Sequence, residues 1–230
     1  MPGLSDRLQN LVRRIAQAAR AAGREPAAVS LLAVSKTWPA QSVREAAQAG
    51  QRAFGENYVQ EGVAKVDALA DLRLEWHFIG PLQSNKTRPV ANRFAWVHSI
   101  DRLKIAERLS EQRDVHLPPL QVCIQVNVSG EASKSGVAPA ALPELARAVA
   151  ALPRLRLRGL MAIPEPTPDV AVQRARFASL RALRDQLNAE GLALDTLSMG
   201  MSDDLEAAIA EGATLVRVGT AIFGARNPTA

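Results

Sequence analysis

The stretch VSLLAVSKTWPA, Val29 to Ala40, carries an apolar run that ends in Ser35, Lys36 and Thr37, with a proline at position 39. A short aliphatic run closed by a turn signal predicts a buried strand over 29–36. Helical periodicity follows over 39–49, so the stretch reads as one strand-turn-helix unit. The same alternation continues along the chain. Further strands are predicted over 52–57, 74–80, 95–100, 120–129, 156–163, 194–200 and 214–219. Helices are predicted over 58–70, 84–92, 101–113, 139–151, 168–190 and 203–211. Another, over 4–22, precedes the first strand, and only a short tail is expected after the eighth.

Eight strands separated by helices predict an α/β fold: a single (β/α)8 TIM barrel with an extra N-terminal helix, one domain over residues 1–230. A doubly wound open sheet is the alternative. It uses fewer strands, and no Gly-x-Gly-x-x-Gly follows the first one. Pro118-Pro119 and PEPTP (164–168) read as loop punctuation, and no linker divides the chain.

Composition sets several function classes aside. Net charge is +5 and the sequence pI is near 10, a balance that can signal nucleic acid or anionic ligands. Here the arginines are spread along helical segments, and residues able to stack on bases are few, with one tyrosine and five phenylalanines beside three tryptophans. A solvated helix surface is the better reading, with no nucleic-acid partner. One cysteine, Cys123, allows no internal disulfide; within PLQVCIQVNV it reads as a small buried hydrophobe. Three histidines without metal-ligand spacing argue against zinc. The N-terminus lacks the apolar core of a signal peptide, and no segment is long enough to span a membrane. A reduced, cytoplasmic protein is expected.

In a barrel of this type, function sits at the C-terminal strand ends. Polar or distinctive residues there are Lys36, Asn57, His77, Ser99, Asn127, Met161, Ser198, Met199, Arg217 and Gly219. Lys36 ends an apolar strand. Desolvation there would disfavour the ammonium and free the amine for a Schiff base with an aldehyde; the alternative is a lysine that reaches out to solvent. The segment from Ser198 to Arg226 contains strand 7, a glycine turn, a helix and strand 8. Ser202 suits an N-cap, with Asp203 and Glu206 completing a capping box. The loops after strands 7 and 8 also commonly hold phosphate in this fold, and Gly200, Ser202, Gly219 and Thr220 suit that. Arg217, inside a short apolar strand, needs a partner when buried. A carboxylate would serve, and so would the ring nitrogen of a bound cofactor.

Lysine, phosphate cradle and ring-nitrogen partner together describe pyridoxal 5′-phosphate (PLP). The sequence resembles the pyridoxal phosphate homeostasis protein family, which is similar to the barrel domain of alanine racemase. The resemblance rests on LLAVSKTWP, FGENYVQE, WHFIGPLQSNKTR, VHSID, VNVSGEASKSG, RGLMAIP and SMGMSDDLEAAIAEGATLVRVGTAIFGAR, which run from Leu31 to Arg226. It implies that Lys36 forms a Schiff base with PLP. Ser202, Gly219 and Thr220, with the turn 199–202 that includes Gly200, would hold the phosphate. Arg217 would face the pyridine nitrogen, Asn57 would lie beside the cofactor, and Met161 and Met199 would pack near it.

The implied function is PLP homeostasis: holding the cofactor and buffering or delivering it to PLP-dependent apoenzymes, without robust turnover. The alternative is a PLP-dependent amino-acid racemase. A Schiff-base aldolase that uses Lys36 without PLP is a third reading. Against a racemase, the eight units consume the sequence, leaving no β-domain to supply a second base. Tyr58 is the only tyrosine, and it reads equally as a helix-start surface residue. The same missing domain suggests a monomer. The loop 129–136 reads as a flexible segment or as a lid in which Lys134 could take PLP. Residues 80–88 read as a cap for the next helix or a partner surface.

Overall fold

The computed structural model describes residues 3–129 and 135–224. Eight parallel strands close into a barrel in sequence order. They are β1 (Ser30–Val34), β2 (Ala53–Glu56), β3 (Glu75–Phe78), β4 (Trp96–Ile100), β5 (Leu120–Gln125), β6 (Leu155–Met161), β7 (Thr196–Ser198) and β8 (Leu215–Val218). β1 closes the ring against β8, with Ala33 opposite Val218. The helices are α1 (Leu4–Ala21), α2 (Ala40–Gln48), α3 (Val59–Ala68), α4 (Thr87–Arg93), α5 (Leu103–Gln112), α6 (Leu142–Ala150), α7 (Val170–Ala189), α8 (Leu205–Ala210) and α9 (Thr220–Phe223). The (β/α)8 barrel is as expected.

Side chains alternate across each strand, so each strand serves two cores. The outer layer packs against the helices and includes Ala33, Phe54, Phe78, Val97, Val122, Leu160, Leu197, Val216 and Val218. Two smaller clusters lie inside the ring: Leu32, Val34, Ile79 and Leu215, and Trp96, Cys123 and Met161. Between them the interior is polar, with His77, His98, Ser198 and Arg217 all buried. α1 buries Leu8, Leu11, Ile15 and Ala19, spaced to share one face, and lies against α2, α8 and α9. Among the described residues no helix is long and apolar enough to cross a membrane.

Several boundaries differ from those read in the sequence. β5 ends at Gln125 and β7 spans three residues. The helix expected over 84–92 begins as a 3-10 turn, Ser84–Lys86, and the one over 139–151 as Pro139–Ala141. Beyond β8 the chain forms the single turn α9 rather than a plain tail. The predicted capping box at Ser202 does not form. Residues 202–204 make a turn, and α8 starts at Leu205 with Asp204 as its N-cap residue. Asp204 Oδ1 accepts from the Met201 N–H at 2.6 Å, so this side chain closes the turn rather than capping the helix.

Candidate functional site

At the C-terminal strand ends lies a cavity of about 540 Å3, lined among others by Lys36, Asn57, Ser202, Arg217, Gly219 and Thr220. Six of the nine residues that the resemblance places around PLP therefore meet on one surface.

Lys36 sits two residues past β1, on a turn closed by the Trp38 N–H donating to the Ser35 carbonyl at 3.0 Å. The next residue, Thr37, has φ +67°, a left-handed conformation unusual for a β-branched side chain. Its N–H donates to Glu61 Oε1 at 2.5 Å, and its Oγ1 donates to the Lys36 carbonyl at 2.6 Å. Behind this turn is a buried ionic cluster. Lys65 Nζ donates to the Ser35 carbonyl at 2.6 Å, to Glu56 Oε1 at 2.8 Å and to Glu61 Oε1 at 2.7 Å. Ser35 Oγ donates to the same Glu56 oxygen at 2.5 Å. Burial pushes the Glu56 carboxyl above its ordinary pKa, against the pull of Lys65. Interlocked partners thus fix the backbone on which Lys36 stands.

Arg217 rises from the inner face of β8 and is 4% exposed. Its Nη1 donates to the Ser198 carbonyl at 2.6 Å and to Ser198 Oγ at 2.8 Å, and Nη2 donates to the Ala162 carbonyl at 2.8 Å. None of these acceptors is a carboxylate. Burial pushes the guanidinium pKa down to about 10, with Asp204 offsetting part of the cost. At neutral pH it remains a cation that can only donate.

Glycines let the backbone close in around the cavity. A Cβ on Gly80 would stand 2.1 Å from the Asn57 carbonyl oxygen, so Gly80 presses directly on the residue that enters the site. One on Gly219 would stand 2.9 Å from the Val34 carbonyl oxygen. Ser202 is steadied from outside the barrel: Arg14, on α1, donates through Nη2 to the Ser202 carbonyl at 3.0 Å and grips both Glu206 oxygens at 2.6 and 2.8 Å.

Three singled-out residues do not line the cavity. Met199 follows the inward-facing Ser198, so alternation turns its side chain outward into the core against the helices. Met161 is fully buried inside the ring with Trp96 and Cys123. Gly200, at φ +92°, shapes the turn: its carbonyl accepts the Arg217 N–H at 2.9 Å, and a Cβ there would strike Ala208.

Other candidates lie elsewhere. His77 and Ser198 are in the barrel interior. Ser99 is buried, Asn127 pairs its N–H with the Val137 carbonyl at 3.0 Å, and Tyr58 is 55% exposed on the surface. Gln83 leads into the 3-10 turn without capping it. Lys134 and most of its loop lie outside the described residues. Lining residues not anticipated include Arg14, Trp38 and Ile163, whereas Met201 belongs to the turn 199–202 expected there. Nothing in a single sequence marks Arg14 among the other helix arginines, whereas Glu61 and Lys65 stand four apart on α3, a visible ion-pair spacing.

Residues 6–227 match the family Alanine racemase, N-terminal domain. The chain is 67% identical over 227 residues to the pyridoxal phosphate homeostasis protein of Pseudomonas aeruginosa PAO1, covering 99% of this chain and 97% of that one. The chain belongs to the pyridoxal phosphate homeostasis protein family. The Escherichia coli K12 member is 56% identical over 230 residues, covering 99% of this chain and 98% of the other. PipY of Synechococcus elongatus PCC7942, solved with PLP bound, superposes with a TM-score of 0.84 at 41% identity, covering 96% of this chain and all of PipY. The family expected from the motifs is therefore the family found.

Proposed function

We propose that this chain binds PLP at the barrel mouth, holds it through a Schiff base on Lys36, and buffers the cofactor or delivers it to PLP-dependent apoenzymes without robust turnover. The observation that carries this reading is the convergence of Lys36, Asn57, Ser202, Arg217, Gly219 and Thr220 on one cavity. The residues fit the group. Asn57 Oδ1 is buried with no protein partner, although Asn57 lines the cavity, so a polar ligand is needed to satisfy it. Gly219 lines the cavity with backbone alone, and its lack of a Cβ lets that backbone lie close against Val34. Thr220 and Ala221, in the first turn of α9, have N–H groups with no partner inside that turn. With the Ser202 hydroxyl they would hold an anion, and Arg14 adds positive charge at the rim.

When bound, PLP supplies an aldehyde for an amine and a ring that can delocalise a carbanion. This chain's residues restrain the second capacity. Arg217 stays charged at neutral pH and donates, so a ring nitrogen facing it is kept without a proton. Tyr58, the only tyrosine, lies on the surface and lines no part of the cavity. Asp203 lines the rim but is exposed to water. The reading is that of a monomeric carrier working in the cytoplasm.

The test is spectroscopic and chemical. Protein mixed with PLP gains a near-ultraviolet or visible band, borohydride fixes one adduct, and peptide mass places it on Lys36; Lys36→Ala loses both. An adduct on another lysine overturns the assignment. Incubation with alanine in heavy water then separates carrier from racemase: ligand exchange without appreciable α-deuteration supports a carrier, and α-deuteration at ordinary enzyme rates refutes it.

A further inference from the structure

The polar interior contains an unbroken chain of hydrogen bonds from the barrel mouth to its opposite end. Arg217 Nη1 donates to Ser198 Oγ at 2.8 Å, and Ser198 Oγ lies 2.8 Å from His98 Nδ1. His98 Nε2 lies 2.9 Å from His77 Nδ1, and His77 Nε2 lies 2.8 Å from Glu75 Oε1. Both histidines are buried, and burial pushes both pKa values down, that of His98 furthest, with His77 and Arg217 adding to the effect. Each ring is therefore neutral and carries one N–H. Glu75 is half-exposed on the far floor, where a second cavity of about 420 Å3 opens. Its carboxyl is held below its ordinary pKa, first by the hydrogen bond to His77, so it is an anion.

The two charged ends impose one direction on the chain. Arginine can only donate, and the Glu75 carboxylate can only accept. His77 must then carry its proton on Nε2 and accept at Nδ1. His98 likewise carries its proton on Nε2 and accepts at Nδ1, and the Ser198 hydroxyl donates to it. Every proton points from the buried cation toward the distant anion. Aligned hydrogen bonds polarise one another, more so in a dry interior. Arg217 lacks a carboxylate in contact; Asp204 acts on it through space, and these hydrogen bonds link it to a second carboxylate, Glu75.

We propose that Glu75 is a positioning residue for the cofactor site: through His77, His98 and Ser198 it strengthens the hold on the Arg217 guanidinium and sets how strongly that group donates into the mouth. The link to PLP rests on the proposed function, but the relay itself can be tested on the cofactor-free chain. Nitrogen-15 NMR of the three histidines, with exposed His116 as reference, should show His77 and His98 as neutral Nε2–H tautomers at pH 7. A Nδ1–H tautomer or a charged ring at either position overturns the relay.

The second arm uses Glu75→Gln, which keeps an acceptor for His77 but removes the charge. The Arg217 guanidinium protons should then exchange faster than in the unmodified chain, because the polarisation transmitted bond by bond is lost. Asp195→Asn removes another charge from the same floor, where Asp195 pairs with Arg158 outside the chain, and should leave Arg217 exchange unchanged. Equal effects from both variants, or none from Glu75→Gln, overturn the proposal. With PLP added, Glu75→Gln should move the absorbance band and Asp195→Asn should not; an unmoved band in both overturns the link to the cofactor site. Absence of any PLP band in the unmodified chain would sink the proposed function, while the NMR outcomes would still decide the relay.

Discussion

Replacing Lys65 with methionine removes the ammonium beneath the Lys36 turn and leaves a side chain of similar length. Three contacts disappear together, to the Ser35 carbonyl, Glu56 and Glu61. Glu56 is fully buried, one of its oxygens already has no partner, and only Ser35 Oγ would remain on the other. Breaking a buried pair on one side costs about 3–5 kcal/mol, because the other charge stays in the interior. For a chain of this size that lowers Tm by roughly 6–20 °C, at about 2–4 °C per kcal/mol. Urea titration of the cofactor-free protein measures the loss directly. The pH dependence supplies the sign. The folded pKa of Glu56 is raised, so its contribution is fully present below the unfolded value and lost as pH rises through the folded one. Without Lys65, the main influence opposing that rise, the folded value climbs further. The deficit of Lys65→Met should therefore be largest at pH 8 and shrink toward pH 5. Adding Glu56→Gln should recover part of the loss, because no buried anion is then stranded. A pH-independent deficit, a loss below about 1 kcal/mol, or a double variant no better than the single one would refute the reasoning.

Gly80→Ala forces a Cβ against the Asn57 backbone; it should cost about 1–3 kcal/mol in urea unfolding and weaken PLP binding, because overpacking here moves a lining residue. Arg14→Ala breaks an exposed pair, so stability should fall by less than about 1 kcal/mol. Its hold on the Ser202 carbonyl is lost as well, so equilibrium titration should show PLP weakened more than pyridoxal, which has no phosphate. Ser202→Ala should separate the two ligands in the same direction. Cys123 is fully buried and burial pushes its thiol up to about 12; it should resist a disulfide reagent at pH 8 in the native protein and react fully in guanidinium, and native-state reaction within minutes would contradict that burial.

The barrel was legible because its signal is local and repeated. Each unit pairs an apolar run with a turn and a periodic helix, and eight such units leave few alternatives. The site was legible as far as strand ends could mark it. Lys36, Asn57, Arg217 and Gly219 all lie at or just beyond strand C-termini, where this fold gathers its loops. Met199 shows where that filter fails: a strand end gives height along the barrel but not facing. Counting alternation from Ser198 would have turned Met199 outward, and the methionine invited a cofactor contact that its position does not allow. The α8 start was misplaced because Ser202, Asp203 and Asp204 are all good cap residues. The turn that follows Gly200 decides among them: the Gly200 carbonyl accepts from the Arg217 N–H, and the Met201 N–H donates to Asp204 Oδ1.

Apart from the Glu61–Lys65 spacing on α3, the two buried polar networks were beyond local reading, and the reason is the same for both. Each joins residues far apart in sequence: Ser198 to His98 across 100 positions, and Lys65 to Ser35 across 30. A lone histidine on a strand reads as a satisfied core residue, and a helical lysine reads as solvated. The histidine becomes informative only when barrel closure sets β3 and β4 opposite β7, and the lysine only when α3 packs behind β1 and β2. The networks also divide the charge of the site in a way composition cannot reveal. Lys65 draws Glu56 and Glu61 to the outer side of the β1 turn, and Glu75 acts from the far floor. Among the described residues Asp203 is therefore the only carboxylate side chain lining the mouth, and it is exposed. Lys36 and Arg217 thus line the cavity as the groups that, under the proposed function, would bond and orient PLP, while Glu56, Glu61 and Glu75 lie outside its lining.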